Sequence, residues 1–323
     1  MRIGFGMRRL GIQAYACGRE RIYGHKKECR MFRLLGFESA EAEWGMEMNF
    51  FIVGLIVLAL AVLYLYAIMP RMVRRPDKSP FTGWMYAHRG LFDNNTQAPE
   101  NSLSAFKKAV DAGFGIEMDV QLTKDKIPVV FHDFTLERAC KKKGKVSDYT
   151  YAQLKQFFLF RSDEHIPTFQ EALELVNGKV PLIVELKIEW SDCSVCREAD
   201  RLLGSYKGFY VIESFNPLGL IWYRRHRSRI IRGQLADHFR KEGTAKGPFY
   251  FLLHYLVLNF LTKPDFIAYN HKYSKNMSRQ LCRYLYGAAA AGWTIKNEEQ
   301  LMSARENFDW IIFDGFVPKI RKN

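Results

Sequence analysis

The sequence predicts an α/β fold: a (β/α)8 TIM barrel preceded by a single N-terminal transmembrane helix. Three observations lead there. Strand-like apolar runs recur at 84–88, 116–121, 128–132, 181–186, 209–214, 230–235, 265–269, 289–295 and 310–314. Most intervals between them can hold a helix, the alternation that a parallel barrel requires. Upstream of all of them, Phe50 to Met69 is uncharged, rich in Leu, Ile, Val and Ala, and long enough to cross a bilayer.

Residues 1–47 carry Arg and Lys in a Gly-containing context with no sustained period. They read as an unstructured segment or an upstream mis-assigned start, with Met46 and Met48 just ahead of the span. Residues 48–70 read as an uncleaved anchor, because no A-x-A-like site follows and the apolar run exceeds that of a signal peptide. Arg71, Arg74, Arg75 and Lys78 follow it, against only Arg30 and Arg33 close upstream. That bias places the downstream domain in the cytoplasm, on the cell membrane. Residues 71–83 form a short basic linker suited to anionic headgroups, and 84–323 form the barrel domain.

Only about eight residues separate Val120 from Val129, too few for a parallel crossover, which needs a dozen or more. Lys124, Asp125, Lys126 and Pro128 read as a turn, so 128–132 returns antiparallel as a hairpin. His132 then comes back beside Met118, next to Glu117 and Asp119. The remaining runs make a barrel's count of strands. Helices are expected at Ser102–Ala112, Thr168–Val176, Asn216–Arg224, Ser274–Tyr286 and Glu298–Asn307. Phe249 to Leu261 is apolar on nearly every face, interrupted only by His254 and Asn259. It is too short to span a membrane. Either it packs under another loop, or it dips into the bilayer beside the active site.

The net charge of +14 and a pI near 9.4 favour anionic partners: phosphate esters, acidic lipid headgroups or nucleic acid. No nucleic-acid motif is present and the basic residues are scattered, so nucleic acid is set aside. The irregularly spaced cysteines do not form a disulfide framework, and Cys193-Ser-Val-Cys196 is a lone CxxC.

In a barrel the C-terminal strand ends form the active face. His88-Arg89, Glu117/Asp119, Glu185/Lys187, Glu213, Gln234, Asn270, Thr294/Lys296 and Asp314 all fall there. Glu117 and Asp119, two apart on a strand, project to one face. With Glu185 they supply three oxygen donors, the hard set expected for Mg2+ or Ca2+. The alternative is structural ion pairing with Lys187 or Arg89. His88 and His132 can remove and deliver the protons that phosphodiester cleavage needs. Arg89 can fork onto phosphate oxygens and Lys187 can add a point charge.

The four linked motifs H-R-G (88–90), P-E-N-S (99–102), E-x-D-V-Q-L-T-K-D (117–125) and V-V-F-H-D (129–133) resemble the glycerophosphodiester phosphodiesterase family. The resemblance runs from about Tyr86 to Pro318. It implies a metal-dependent TIM-barrel hydrolase that releases sn-glycerol 3-phosphate and an alcohol from glycerophosphodiesters. It places the divalent cation on Glu117, Asp119 and Glu185 and pairs His132 with His88, here read as acid and base respectively. Glu100 matches a motif residue that either orients His88 or Arg89 or only caps the following helix. Trp293 in G-W-T-I packs against the glycerol or serves the core. Asp133 is expected behind His132 rather than as a ligand. Two stretches depart from the family's usual look: the basic Cys140-Lys-Lys-Lys143 loop, and 249–261. The second favours a rival substrate, membrane lysophospholipid cleaved in a lysophospholipase D reaction. A rival of another class is a membrane-anchored module that binds phospholipid headgroups without catalysis.

Overall fold

The computed structural model describes residues 37–319, and the chain divides into two compact units, up to Val57 and from Leu58. A single helix, α1 (Phe37–Ile68), runs through the boundary. Of the segment expected to lack structure, 1–36 lies outside the described residues. From Phe37 the backbone is already helical, ahead of the apolar stretch that announced it. Within α1, Met48–Ile68 is long and apolar enough to cross a membrane, with a mean hydropathy of 2.8.

In the second unit the last turns of α1 lie against the barrel. Ile68 is fully buried, and its carbonyl accepts from Asn259 Nδ2 at 2.9 Å. The basic linker that follows is docked as well. The Arg71 amide donates to the Pro264 carbonyl, its Nη1 donates to the Ser228 carbonyl at 2.8 Å, and Arg75 Nη1 reaches the Gly287 carbonyl at 3.3 Å.

The strands are β1 (Met85–His88), β2 (Gly115–Leu122), β3 (Pro128–Val130), β4 (Leu182–Leu186), β5 (Tyr210–Ser214), β6 (Arg232–Ala236), β7 (Phe266–Asn270), β8 (Ala289–Ile295) and β9 (Trp310–Phe313). All but β3 run parallel, and β1 pairs with both β2 and β9, which closes the barrel. β2 is longer than β1, so its C-terminal edge outruns its neighbour. β3 takes that free edge antiparallel, with Val120 opposite Val130 and Leu122 opposite Pro128. The expected hairpin is therefore present. Beyond β3 the Phe131 amide still donates to the Asp119 carbonyl at 3.0 Å, which fixes where His132 emerges.

Side chains fill the barrel interior in layers. Tyr86, Ile183, Val211, Phe266 and Trp310 occupy the floor, and Phe81 closes it from below, 5.8 Å from the Trp310 ring. A Cβ on Gly233 would stand 2.1 Å from Phe266 Cζ, so that ring's place in the barrel requires the glycine. At this end the buried Arg232 and Asp265 pair with each other outside that apolar layer, and the carboxylate cluster lies at the opposite end.

The outer helices that bear on the site are α2 (Leu103–Asp111), α3 (Phe169–Val176), α4 (Ser194–Leu203), α5 (Pro217–His226), α6 (Pro248–His254), α7 (Asn259–Thr262), α8 (Met277–Gln280) and α9 (Glu298–Asn307). Their starts follow side-chain chemistry: Ser102 accepts from the Ala105 amide, and Thr168 with Glu171 forms a reciprocal capping box. The region expected as one helix at 274–286 is α8 running into a π-helical turn, Leu281–Leu285. The apolar stretch 249–261 is likewise no single helix. α6 and α7 are separated by a break where Leu256 takes φ 57°, which buries Leu253 and Leu256 and leaves Phe249, Phe251 and Leu261 exposed. At the start of α4, Cys193 is half-buried and Cys196 buried, and burial raises both thiol pKa values, so the CxxC holds no activated thiolate.

Candidate active site

The active end is built where strands run out. β2 alternates Glu117, Asp119 and Gln121 on its inward face, all buried, while Ile116, Met118 and Val120 pack outward on the helices. β4 is in register beside it, with Asp119 opposite Glu185, and β5 sets Glu213 opposite Glu185. Glu117, Asp119 and Glu185 each offer an oxygen within 4.8 Å of the others.

Three buried carboxylates this close repel one another unless cations intervene. Burial, then Asp119 and Glu213, pushes Glu117 well above the usual carboxylate range. Glu185 is raised to about 7 by burial, which outweighs the opposing pull of Lys187. Asp119 moves the other way: burial is overcome by Lys187, His132 and Arg89, and its pKa lies well below normal. Lys187 Nζ sits 2.9 Å from Glu185 Oε1 and 3.2 Å from Asp119 Oδ1. One ammonium does not neutralise the cluster. An all-oxygen, buried, under-compensated set fits a hard divalent cation.

The two histidines flank this cluster. His88, ending β1, has Nε2 3.9 Å from Glu117 Oε2 and Nδ1 3.0 Å from Asp314 Oδ2, just past β9. Burial and then Arg89 lower its pKa. His132 has Nδ1 2.6 Å from Asp133 Oδ1, and burial followed by Lys187 brings its pKa to about 4. Asp133 is held in turn by Arg138, whose Nε donates to Oδ2 at 2.6 Å. Gln121 Nε2 donates to the carbonyls of Phe131 and Asp133, at 2.7 and 2.8 Å, and so clamps the chain on both sides of His132.

Arg89 adopts a left-handed backbone, φ 58°, and its amide donates to the Glu117 carbonyl. Its Nη1 donates to Glu100 Oε1 at 2.8 Å, and its Nε lies 3.5 Å from Asp119 Oδ2 without making a hydrogen bond. Glu100, expected either to orient His88 or Arg89 or to cap the following helix, holds Arg89 and is saturated by protein. Arg138 donates to both its oxygens at 2.6 and 3.0 Å, and Asn94 adds a third partner at 3.0 Å. The helix cap belongs to Ser102. Trp293 on β8 meets Phe215 edge-on at 5.7 Å, and its Nε1 has no partner among the described residues.

Sequence reasoning passed over several members of this site. Asn101, beside Glu100 in the same motif, donates from Nδ2 to Asp119 Oδ2 at 2.9 Å. Gln121 shares the inward parity of Glu117 and Asp119, a signal that was available. Arg138 gave none beyond its charge, whereas Asp314, expected at the active face, is found there on His88 Nδ1. Glu213, already expected at the active face, is buried with Oε2 unpartnered, is raised well above normal by burial and then Glu185, and stands beside the cluster as a fourth carboxylate.

Residues 88–316 match the model of the glycerophosphoryl diester phosphodiesterase family. The chain belongs to this family. A glycerophosphodiester phosphodiesterase of Caldanaerobacter subterraneus is 32% identical over 186 residues, 51% of this chain and 75% of that protein. One from Bacillus altitudinis is 39% identical over 112 residues, 32% of this chain and 44% of its own length. The match thus takes in less than half of that relative. Among solved structures, an Oleispira antarctica phosphodiesterase in complex with the product sn-glycerol-3-phosphate superposes with a TM-score of 0.59 at 24% identity, covering 72% of this chain and 93% of that one. A Thermotoga maritima glycerophosphodiester phosphodiesterase gives 0.56 at 23% identity over 71% and 94%. These structures share the barrel fold. The family segment takes in every side chain of the site described above, from His88 on β1 to Asp314 after β9.

Proposed function

We propose that this barrel hydrolyses glycerophosphodiesters to sn-glycerol 3-phosphate and an alcohol, using a divalent cation, on a chain anchored in the cell membrane by Met48–Ile68 with its catalytic domain in the cytoplasm. One observation carries the chemistry. Two imidazoles, each with Nδ1 on a carboxylate, flank a buried three-carboxylate cluster. A headgroup-binding module has no need for both.

Glu117, Asp119 and Glu185 would hold the cation, Mg2+ or Ca2+, which when bound supplies charge neutralisation at the phosphoryl group. Asp314 fixes the proton on His88 Nδ1 and leaves Nε2 as the lone-pair nitrogen beside the cluster, suited to take a proton from the attacking hydroxyl. Asp133, steadied by Arg138, does the same for His132, whose Nε2 delivers a proton to the leaving alkoxide. In the free site burial and Lys187 keep His132 neutral. A phosphodiester anion offsets Lys187 and favours the protonated form, so His132 becomes an acid as substrate arrives. Arg89 and Lys187 would add positive charge at the phosphate, and Trp293 would pack against the glycerol.

The full chain in detergent micelles, incubated with glycerophosphocholine, tests this by release of glycerol 3-phosphate with and without Mg2+ or Ca2+. Release that requires the cation and disappears in His132→Ala and Glu117→Ala is expected. A folded, cation-loaded chain that binds headgroups and releases nothing would leave the binding module.

A second substrate is favoured by a cleft of about 190 Å³ that reaches from Glu185 and Lys187 past Phe215 and Phe239 to Phe249 and Leu253. An aromatic wall beside the phosphate position suits the acyl chain of a lysophospholipid. The same assay with lysophosphatidylcholine measures it.

A further inference from the structure

The crossover from β6 to β7 leaves the barrel at its catalytic end and carries two kinds of side chain that a water-facing loop does not need together. Phe249 and Phe251 are 47% and 61% exposed. Just ahead of them Arg240, Lys241 and Lys246 are also exposed. The acid among them, Glu242, is engaged by Lys272 Nζ at 3.3 Å and Tyr273 Oη at 2.8 Å. Neither Arg240 nor Lys246 has a carboxylate partner among the described residues. The segment therefore presents net positive charge next to bare aromatic surface.

Two further features locate this face. Between the basic residues and α6 opens a cavity of about 700 Å³ walled by Phe239, Tyr250, Phe251 and Tyr255. Phe239 and Tyr250 also wall the cleft that reaches Glu185 and Lys187. The part of α1 within the barrel unit arrives at the same end. Tyr64 Oη is 2.7 Å from Ser278 Oγ at the start of α8, just after β7, whereas Arg71 and Arg75 lie at the opposite end, against Pro264 and Gly287 ahead of β7 and β8. The Tyr66 ring stands 6.3 Å from that of Phe260 on α7.

We propose that the face from Arg240 to Leu261 docks on the anionic surface of the bilayer that holds the chain, with Phe249 and Phe251 in the headgroup–acyl boundary and Arg240, Lys241 and Lys246 on acidic headgroups. This rests on the membrane anchor proposed above. Exposed aromatic surface gains by leaving water, and basic side chains gain from the negative surface potential; together they make an interfacial segment. Docked this way, the aromatic cleft opens at lipid level, so a lipid-borne phosphodiester reaches Lys187 without crossing bulk water. The surface thereby acts as a selector for substrates that reside in the membrane.

The test uses the full chain reconstituted in vesicles of phosphatidylcholine with or without phosphatidylglycerol, on a background with Cys17, Cys29 and Cys193 replaced by Ser. An environment-sensitive fluorophore is placed at Phe251→Cys or, as a control at the opposite end, at Lys207→Cys, and quenching by lipids brominated on the acyl chain is read. Several-fold stronger quenching at position 251 than at 207, reduced in Arg240→Glu/Lys246→Glu and in vesicles lacking phosphatidylglycerol, is expected. Equal, weak quenching at both positions in a chain that floats with the vesicles would overturn the docking and leave the anchor standing. A chain that does not float would overturn the anchor itself. Strong quenching at 251 indifferent to lipid charge would overturn the role given to the basic side chains.

Discussion

Replacing Glu100 by Gln keeps the shape of the side chain and removes the charge that joins Arg89 to Arg138. The cost follows from the carboxylate's pKa. Burial works against ionisation, but Arg138, Arg89 and Asn94 bring Glu100 down to about 2 from its ordinary 4.5. A depressed acid stabilises the fold fully above its unfolded value and loses that contribution as pH falls through the folded one. The shift is equivalent to about 3 kcal/mol at pH 7, of which about half remains at pH 3. Arg138 is 44% exposed, so solvent screens its share and about 2 kcal/mol is the better expectation at neutrality. For a domain of this size that lowers the thermal midpoint by about 4–8 °C. Scanning fluorimetry of both chains in the same micelles, at pH 7 and pH 3, reads the gap. It should at least halve in acid. Because Arg89 loses its tether, kcat/KM for glycerophosphocholine should also fall, by about tenfold, at temperatures where the variant is folded. A gap of equal size at both pH values, or none at pH 7, would refute the electrostatic account of Glu100.

Two other outcomes follow from the same geometry. If the carboxylate cluster binds a divalent cation, Mg2+ or Ca2+ at a hundred times its dissociation constant stabilises the fold by about 2.7 kcal/mol, chelation reverses this, and Asp119→Asn loses most of the shift. An unchanged thermal midpoint in wild type under saturating cation would count against the site. Gly233→Ala forces a methyl group into the Phe266 ring, itself 4.7 Å from Trp310, and should cost about 1–3 kcal/mol, partly recovered by adding Phe266→Leu. Wild-type stability in the single variant would mean that the floor of the barrel yields more than its packing suggests.

Local pattern made much of this molecule legible. Strand parity put Glu117 and Asp119 on one inward face, a short gap forced the 128–130 strand to return antiparallel, and the helix expected over Thr168–Val176 is α3. These features depend on neighbours in sequence, where the period of two and the chemistry of caps operate. The 249–261 stretch shows the limit of such reading. Its composition suggested one helix, but burying Leu253 and Leu256 while α7 returns toward the barrel breaks it at Leu256.

The sequence by itself determined the barrel's strand-like runs, the apolar span, and the residue types that gather at the catalytic end. It did so because each rests on a period, a length or a motif contained in a short window. Only the tertiary structure decided which partner each reacting group has. His88 leans on Asp314 across the whole domain, Glu100 binds Arg89 and Arg138 together, Asn101 steadies Asp119, and Glu213 crowds Glu185. Those pairings arise from closure of the sheet, which brings the ends of distant strands into one low-dielectric pocket where each charge must find an opposite or shift its pKa.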